Sequence, residues 1–455
     1  MAERLTAREA ITRVASAFTE LPAPDGTSAP DGTSAPDGPI APDGPIAWQG
    51  YDEQHARAAL RTGENESVVC GTGTVGETEA VLISFEFGFL GGSLGERTGD
   101  RLEAAYTHAR ERRLPVVSLI ATGGSRMQEG MRALVQLQRV ARQSTLTRAA
   151  GLPQIAVVRD PSTGGGWATL GAGADVVLAL PGAQIGFAGS RVRPADADPA
   201  AYTAEAQLAA GHVDAVVRQE ELREKMGRWL TLLTAPSDAP ARPPRALGRA
   251  ELPATGWEAV QNARSADRPR APAYLDAYFE TRETISGDRC GGVDPGILCG
   301  FGLREGRAIA YAAQCGTATL PVGYRTAARL IRLAGRLGVP VLTLIDTPGA
   351  ANDAAAEHAG AGPAIADVFA AVAAARVPVT TLVIGEGGSG GALALASPGN
   401  TWATPDSYFS VIAPELAAAI LKRGPDQARA TAEQLRLRPQ DLVDLGIARG
   451  IVPTD

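Results

Sequence analysis

The chain has 455 residues, of which 45% are hydrophobic and 20% charged, a composition that excludes a protein disordered throughout. Its formal net charge of -7 provides no general attraction to nucleic acid or to anionic lipid, so neither is an expected partner. The 4 cysteines include no CxxC pair, and no run of about 20 apolar residues occurs, which favours a reduced, cytoplasmic protein that does not enter the membrane.

The first 47 residues are predicted to form a short helix followed by a flexible tail. The tail is a low-complexity tract, residues 23–44, in which the motif APDG occurs four times at six-residue spacing. It carries too few large apolar side chains to offset the entropy of ordering it. A second break, the Pro- and Arg-rich stretch 235–253, is predicted to be a linker. These breaks leave two domains, 48–234 and 254–455.

The two domains contain an internal repeat. LPVVSLIATGG at 114–124 aligns with VPVLTLIDTPG at 339–349, an offset of 225 residues. The same offset aligns LPQIAVVRDPSTGGG, which begins at Leu152, with VPVTTLVIGEGGSGG, which begins at Val377. A third pair, IGFAG from Ile185 and FSVIA, matches at an offset of 224. One offset shared by successive elements indicates duplicated structure.

Each repeated element consists of a proline, a short apolar run and a glycine turn. Short continuous apolar runs are typical of strands that are buried on both faces of a parallel sheet. Residues 102–113 and 325–337, which precede the first repeated strands, have helical apolar spacing and are predicted to be packing helices. The predicted fold class is therefore α/β, built from a duplicated unit.

The glycine turns after these strands are the candidate functional sites. A turn without side chains exposes backbone N–H groups and can bind an anion or an oxyanion. Glycines also form tight turns without any further role, so one such turn is not diagnostic. Their occurrence at paired positions in both halves favours a site. The four turns are TGGS at 122–125, TGGG at 163–166, TPGA at 347–350 and GGSGGA at 387–392.

Side chains offer little alternative chemistry. The four histidines have no metal-ligand spacing, and no GxSxG motif is present. The only lysines, Lys225 and Lys422, do not belong to a phosphate-binding GxxxxGK[ST] loop. Asp160, Asp346 and Glu386 end or follow strands, where they can act in acid–base chemistry or pair with arginines.

Long motifs in both halves resemble one enzyme family. Residues 85–130, with VVSLIATGGSRMQEG, and residues 150–192, with DPSTGGGWATLGAGADVV, resemble the beta subunit of bacterial acetyl-CoA carboxylase carboxyltransferase. Residues 321–350, the segment VIGEGGSGGALALA and SYFSVIAPE resemble its alpha subunit. The resemblance covers Trp48 to Pro453 and implies a beta-then-alpha fusion. It also implies the crotonase-like fold, here two duplicated domains of ββα superhelix.

The resemblance implies transfer of a carboxyl group from carboxybiotin to the α carbon of an acyl thioester, with two oxyanion holes for the two developing charges. The cofactor is biotin on a separate carrier protein, the substrate is acyl-CoA or an acyl-carrier thioester, and no metal is expected. Biotin carboxyl carrier protein and biotin carboxylase are expected as separate partner chains. A homodimer or higher homo-oligomer is expected, in which the acyl-CoA half of one subunit faces the biotin half of another.

Site residues follow from the matched motifs. Gly123 and Gly124 would hold the thioester oxygen, and Gly390 and Gly391 would hold the biotin carbonyl; these four form the catalytic set. Seven further residues are expected to bind substrate: Arg126, Gly165, Gly166, Trp167, Gly349, Ala350 and Ala351.

The sequence departs from the family pattern beside these turns. The zinc ribbon of the beta subunit is missing, and the APDG tract stands in its place. Ala351, Asn352 and Asp353 replace the Tyr-Pro-Gly of the alpha pattern DTPGAYPG, and Gly166 and Trp167 change the beta pattern TTGGVTA to STGGGWA. Two other functions are therefore weighed: an acyl-thioester decarboxylase that does not use biotin, and a non-catalytic scaffold. The intact glycine pairs argue against the scaffold.

Overall fold

The computed structural model describes residues 4–24 and 42–454, so most of the APDG tract, residues 25–41, lies outside the described residues. The chain divides into two compact units, Met1–Thr234 and Ala235–Asp455. Each unit is built on one eight-stranded sheet. Across the described ranges, no helix has the length and apolar character needed to cross a membrane.

The first unit contains the strands β1 (Ala17–Glu20), β2 (Val68–Val75), β3 (Thr78–Phe85), β4 (Val116–Thr122), β5 (Gln154–Thr163), β6 (Val176–Ala179), β7 (Ile185–Gly186) and β8 (Ala215–Val216). They are ordered β1-β2-β3-β4-β5-β6-β8, and β7 pairs with the end of β5. The strand β2 is antiparallel to both its neighbours, β1 and β3, and the strands from β3 onwards are parallel. Every residue of β4 and β6 is buried, as their apolar runs predict.

The helices of the first unit are α1 (Ala7–Val14), α2 (Tyr51–Thr62), α3 (Glu96–Arg112), α4 (Met131–Leu134), α5 (Gln136–Ala149), α6 (Gly164–Gly166), α7 (Ala204–Ala209) and α8 (Leu222–Leu233). Short 3-10 turns cover Leu90–Gly92, Met127–Glu129 and Pro199–Tyr202, and a π-helical turn, Trp167–Gly171, follows α6. The apolar face of α3 packs with the sheet in the main core, to which Leu102, Tyr106 and Ile120 belong.

The second unit repeats this arrangement in the order β16-β14-β13-β12-β11-β10-β9, with β15 beside β13. Its strands are β9 (Thr281–Ile285), β10 (Ile297–Arg304), β11 (Arg307–Gln314), β12 (Val341–Thr347), β13 (Val379–Gly388), β14 (Thr401–Ala403), β15 (Tyr408–Ser410) and β16 (Gly450–Ile451). Its helices are α9 (Gly256–Arg264), α10 (Ala271–Tyr278), α11 (Pro321–Leu337), α12 (Ala354–His358), α13 (Ala361–Ala373), α14 (Ser389–Leu393), α15 (Pro414–Ile420), α16 (Ala428–Gln434) and α17 (Pro439–Asp444), with a 3-10 turn at Pro425–Gln427.

The bounds of the elements reproduce the sequence repeat. The helix α11 and the strands β12 and β13 begin and end 225 residues after α3, β4 and β5 respectively. The third match is also reproduced, since β7 pairs with the end of β5 as β15 pairs with the end of β13. The predicted α/β class, the duplication and the two packing helices are thereby confirmed.

The Pro- and Arg-rich stretch 235–253 belongs to the second unit in this structure. The hydroxyl of Tyr278 donates to the carbonyl of Arg242 at 2.7 Å, and the hydroxyl of Thr380 donates to the carbonyl of Ala241 at 2.8 Å. Ala241 is itself part of the core of that unit. The stretch predicted to be a linker thus packs along the unit that follows it.

The N-terminal segment is part of the first unit. Helix α1 begins with a capping box between Thr6 and Glu9. The N–H of Ala7 donates to Glu86 at 2.7 Å, and the Arg159 guanidinium donates to the carbonyls of Leu5 and Thr6 at 3.3 and 3.4 Å. Burial lowers the pKa of Arg159 to about 10. The strand β1 then pairs along β2 and covers that edge of the sheet.

Candidate functional site

Each unit brings two glycine turns together because neighbouring parallel strands end at the same edge of a sheet. In the first unit β4 pairs with β5, and their register shifts just before Thr122 and Ser162 become partners. In the second unit β12 pairs with β13, with the same shift before Thr347 and Gly387. The turns that follow these strands are the predicted glycine sites, so two of them meet within each unit.

In the first unit the two turns cross so closely that only glycine fits. A Cβ atom placed on Gly164 would lie 3.0 Å from the Cα of Gly124. Gly124 has a φ of 107° and Gly164 a φ of 63°, values that residues with side chains rarely adopt. The predicted pairs Gly123/Gly124 and Gly165/Gly166 are therefore neighbours in space.

The two pairs differ in whether their N–H groups are already hydrogen-bonded. The N–H of Gly123 donates to the carbonyl of Gly91 at 2.9 Å, and the N–H of Gly124 donates to the hydroxyl of Thr122 at 3.1 Å. The N–H groups of Gly165 and Gly166 donate to no acceptor in residues 4–24 and 42–454. The N–H groups without an acceptor are thus those of Gly165 and Gly166, whereas the amides of Gly123 and Gly124 are already bonded within the protein.

Arg126 lies two residues after the first glycine turn and is 1% exposed. Its guanidinium donates to Glu66 at 3.1 Å, to Glu129 at 3.0 Å and to the carbonyl of Ser93 at 2.9 Å. Burial disfavours the charged forms, yet this pairing places the pKa of Glu66 below its ordinary value and that of Arg126 above it. These partners tie the loop after the turn, which carries Arg126, to Glu66 and to the carbonyl of Ser93.

Trp167 also packs inside the protein. It is buried in the main core of the first unit, and a Cβ atom on Gly171 would collide with its indole ring. The change from the beta-subunit pattern at this position is therefore accommodated by packing within the unit. Both side chains are largely buried, with Trp167 8% and Arg126 1% exposed.

In the second unit the turns after β12 and β13 converge in the same way. A Cβ atom on Gly391 would lie 2.5 Å from the backbone nitrogen of Ala350, whereas one on Gly390 would meet nothing within 4 Å. Gly349 has a φ of 142°, and its N–H donates to the hydroxyl of Thr347 at 3.1 Å. Gly390 thus borders open space, and Gly391 faces the neighbouring turn.

The free amides of this second site match those of the first. Among the described residues, the N–H groups of Gly390, Gly391 and Ala350 have no acceptor. The N–H of Ala351, by contrast, donates to the carbonyl of Thr319 at 2.9 Å. The altered loop that begins at Ala351 is therefore tied back to the protein, and the unbonded donors come from the glycine turn and from Ala350.

The three carboxylates that sequence analysis considered for acid–base chemistry are all paired with arginines. Asp346 is fully buried, and both its oxygens accept from Arg268, at 2.8 and 2.9 Å. Glu386 accepts from Arg264 at 2.8 Å. Asp160 pairs with Arg4, at 3.1 Å. All three carboxylates are thus paired with arginines, one of the two uses that their positions predicted.

Other reactive groups do not gather at the turns. Cys70, Cys290, Cys299 and Cys315 are all free thiols, and burial raises the pKa of Cys315 to about 11. Within residues 4–24 and 42–454, no group of three or more His, Cys, Asp or Glu side chains is arranged to hold a metal ion. The chemistry available at both sites is hydrogen bonding from backbone N–H groups.

Comparison with known sequences relates each half to a carboxyltransferase family. Residues 47–241 match the family model of the carboxyl transferase domain, and residues 251–455 match the model described as acetyl co-enzyme A carboxylase carboxyltransferase-like. The beta/alpha carboxyl transferase subunits of acetyl-coenzyme A carboxylase from Saccharopolyspora erythraea are 39% identical, over 88% of this chain and 74% of that protein. A probable biotin-dependent acyl-coenzyme A carboxylase beta3 subunit from Mycobacterium bovis is 34% identical over 89% of this chain and 83% of its own length.

Solved structures share the fold over nearly the whole chain. The transcarboxylase 12S hexamer, crystallised with methylmalonyl-coenzyme A and methylmalonic acid, has a TM-score of 0.77 and 20% identity, covering 98% of this chain and 86% of its own. A single-chain, multi-domain long-chain acyl-CoA carboxylase has a TM-score of 0.75 and 21% identity, covering 99% of this chain and 45% of its own. These similarities confirm the predicted crotonase-like fold.

Replacing Arg126 by methionine tests the anchoring role. Arg126→Met leaves Glu66 and Glu129 buried without their partner, so we expect the free energy of unfolding to fall by about 3–5 kcal/mol. Arg132→Met breaks the exposed pair with Glu96 and should cost less than about 1 kcal/mol. Chemical denaturation of both variants measures the difference, and equal losses would contradict the assignment.

Proposed function

The chain belongs to the family of acetyl-CoA carboxylase carboxyltransferases, and from this premise we propose how its two glycine sites share the reaction. It is the carboxyltransferase component of a biotin-dependent acyl-CoA carboxylase. This division of the reaction between the two units rests on one observation. Each unit contains a matched pair of backbone N–H groups. Among the described residues, neither Gly165/Gly166 nor Gly390/Gly391 has an acceptor for these groups.

The first unit holds the acyl thioester. As the α carbon loses its proton, negative charge develops on the thioester oxygen, and the N–H groups of Gly165 and Gly166 stabilise that charge. Donors that are fixed before the reaction are each worth roughly 100- to 1000-fold in rate. Gly124, which crosses beside them, keeps side chains away from the oxygen.

The second unit holds the biotin end. Gly390 and Gly391, together with Ala350, offer N–H donors to a ureido oxygen, which is an acceptor, so the residues present fit that group. Carboxybiotin on a separate carrier protein would supply the carboxyl group: its N–C bond to that group would break as the C–C bond to the α carbon forms, and the freed ureido nitrogen would take up the α proton. This chain then needs no side-chain base, in keeping with the arginine pairing of Asp346 and Glu386.

The substrate and partner proteins follow from this division of roles. We assign an acyl-CoA thioester as substrate, with acetyl-CoA as the first acceptor to test and an acyl-carrier thioester as the second. Biotin carboxylase and the biotin carboxyl carrier protein act as separate chains. The four unpaired thiols support a cytoplasmic location.

We assign a homodimer or larger homo-oligomer as the active form. Both units expose apolar side chains beside their glycine turns. Phe187, whose carbonyl accepts from Gly164, is 74% exposed, and Val411, which follows the strand paired with the end of β13, is 72% exposed. Apolar side chains left in water beside a site favour burial against another subunit.

The function is tested with the purified chain, malonyl-CoA and biocytin, a soluble form of biotin. Carboxyl transfer to biocytin should depend on both reactants and should stop when avidin sequesters the biotin. Loss of carbon dioxide from malonyl-CoA that is unaffected by avidin, with no carboxylated biocytin formed, would identify the decarboxylase alternative instead. Inactivity with both malonyl-CoA and an acyl-carrier thioester would support the scaffold.

Hydrogen exchange distinguishes the two candidate pairs in the first unit. A non-reactive acyl-CoA analogue should slow amide exchange in peptides that cover residues 163–168, because Gly165 and Gly166 gain an acceptor. Exchange in residues 121–126 should remain unchanged, since Gly123 and Gly124 are already bonded without ligand. Protection confined to residues 121–126 would overturn the assignment.

Gly390→Val tests the donors in the second unit. Its side chain enters open space, so the fold should persist while the site is blocked, and we expect carboxyl transfer to fall by at least about 100-fold. Gly391 is unsuitable for this test because a Cβ atom there meets the backbone of Ala350. Gly362→Val, at another glycine with no neighbour within 4 Å, is the matched control and should retain activity. A folded, active Gly390→Val variant would remove this turn from the reaction.

Light scattering tests the oligomer. At assay concentration the mass should be at least twice the chain mass of 46.9 kDa. Phe187→Glu places a charge on the exposed apolar surface and should lower both the mass and the activity. A fully active species of one chain would contradict the dimer.

A further inference from the structure

Three buried polar side chains lie beneath the second glycine turn. We call Gln314, Thr319 and Tyr324 the Tyr324 cluster; each is at most 1% exposed. The Tyr324 hydroxyl donates to the carbonyl of Gly391 at 3.0 Å, and the side-chain amide of Gln314 donates to the same carbonyl at 3.4 Å. That amide also donates to the hydroxyl of Thr319 at 3.0 Å. The cluster thus holds one atom of the turn from two sides.

The cluster also holds the turn that follows β12. The N–H of Thr319 donates to the carbonyl of Gly349 at 3.1 Å, and its carbonyl accepts from the N–H of Ala351 at 2.9 Å. Thr319 therefore forms backbone hydrogen bonds to the residues on both sides of Ala350, and these bonds hold the Ala350 N–H in place. Glycine backbones adopt many conformations, so external hydrogen bonds of this kind decide where their N–H groups point.

The first unit contains the same backbone clamp with different side chains. The offset of 225 residues places Leu94 opposite Thr319 and Gly99 opposite Tyr324. The N–H of Leu94 donates to the carbonyl of Gly124 at 2.9 Å, as Thr319 does to Gly349. Gly99, however, has no side chain, and the space beside it is filled by the Gln136 amide. Polar support from beneath is therefore a feature of the second unit.

Stability alone does not explain the cluster. The Oε1 atom of Gln314 is buried and has no partner among the described residues. A buried acceptor without a donor is destabilising, and an apolar side chain of the same size would avoid that cost. The hydroxyl of Tyr324 is likewise buried, which raises its pKa and keeps it protonated as a donor. What Tyr324 and Gln314 provide, and apolar side chains could not, is hydrogen-bond donors to the carbonyl of Gly391.

We propose that Tyr324 and Gln314 are positioning residues that fix the Gly390 and Gly391 N–H groups for the biotin end of the reaction. This inference rests on the proposed function of the second unit. It predicts that loss of the cluster impairs the step at the biotin end and leaves the binding of acyl-CoA, which belongs to the first unit, unchanged. A purely structural role would instead affect stability and both substrates together.

The first test is Tyr324→Phe, which removes only the hydroxyl. In the transfer from malonyl-CoA to biocytin we expect kcat to fall by about tenfold, since displacement of a donor by a fraction of an ångström weakens its contribution. The KM for malonyl-CoA should stay within about twofold of the parent value. Tyr311→Phe is the matched control. Tyr311 is also fully buried, but its hydroxyl donates to the backbone carbonyl of Glu283, at 3.4 Å, and not to the turn.

Hydrogen exchange gives a second measurement that needs no activity. In Tyr324→Phe, without ligand, amides in residues 385–396 should exchange faster, while residues 160–170 should be unchanged. This result stands even if the parent protein fails to carboxylate biocytin, so failure of the proposed function and failure of this inference are distinguishable. Unchanged exchange and unchanged kcat in a folded Tyr324→Phe variant would overturn the inference, as would an equal loss in Tyr311→Phe.

Gln314→Met provides an independent variant. It removes the donor and also the unpaired Oε1 atom, so we expect a thermal midpoint at least equal to that of the parent together with a kcat lowered several-fold. A lower kcat in a protein that is no less stable is the signature of positioning. A variant of unchanged kcat, or one whose kcat falls only in proportion to the folded fraction, would contradict the role of Gln314.

Discussion

The close crossing of two glycine turns at the end of each sheet is the constraint on which the sites depend. Parallel strands that end side by side bring their following turns so close that a Cβ atom placed on Gly164 would lie 3.0 Å from the Cα of Gly124. Side chains cannot enter such a crossing, so the backbone itself forms the surface. The first N–H groups of the helix that follows have no carbonyl one turn earlier to accept from them. Free donors at Gly165 and Gly390 follow from this geometry.

The two units share the backbone arrangement of the crossing but differ in the side chains that support it. The clamp from Leu94 to Gly124 recurs from Thr319 to Gly349, with nearly the same hydrogen-bond lengths, 2.9 and 3.1 Å. In the first unit the loop after the turn is anchored by the buried charge of Arg126, two residues beyond the crossing. In the second unit the Tyr324 cluster supports the turn from below. The same backbone arrangement is thus supported by different side chains in the two units.

The sequence predicted the architecture well because the repeat is a property of the chain itself. Prolines and apolar runs recur at one offset, and continuous apolar runs are typical of buried strands, so the bounds of β12 and β13 could be anticipated from β4 and β5. Which glycine N–H groups are already bonded could not be anticipated, because the acceptor of the Gly123 N–H is the carbonyl of Gly91, a residue 32 positions earlier. Nor did sequence reveal that Arg126 is buried, since most arginines are exposed. The signal for Tyr324 was available in the repeat, where it stands opposite Gly99.

The docking of the N-terminal segment has a consequence for the integrity of the fold. Residues 4–20 are held to the first unit by non-covalent contacts: Ile11 and Val14 are buried, and hydrogen bonds and ion pairs join Ala7 to Glu86 and Arg8 to Glu64, at 2.7 and 2.6 Å. None of these contacts requires a continuous chain through residues 25–41. The segment is in effect a peptide ligand of its own protein. After a proteolytic cut within the APDG tract we therefore expect the two fragments to stay associated, so that a chain broken at that place can still behave as a single species in solution.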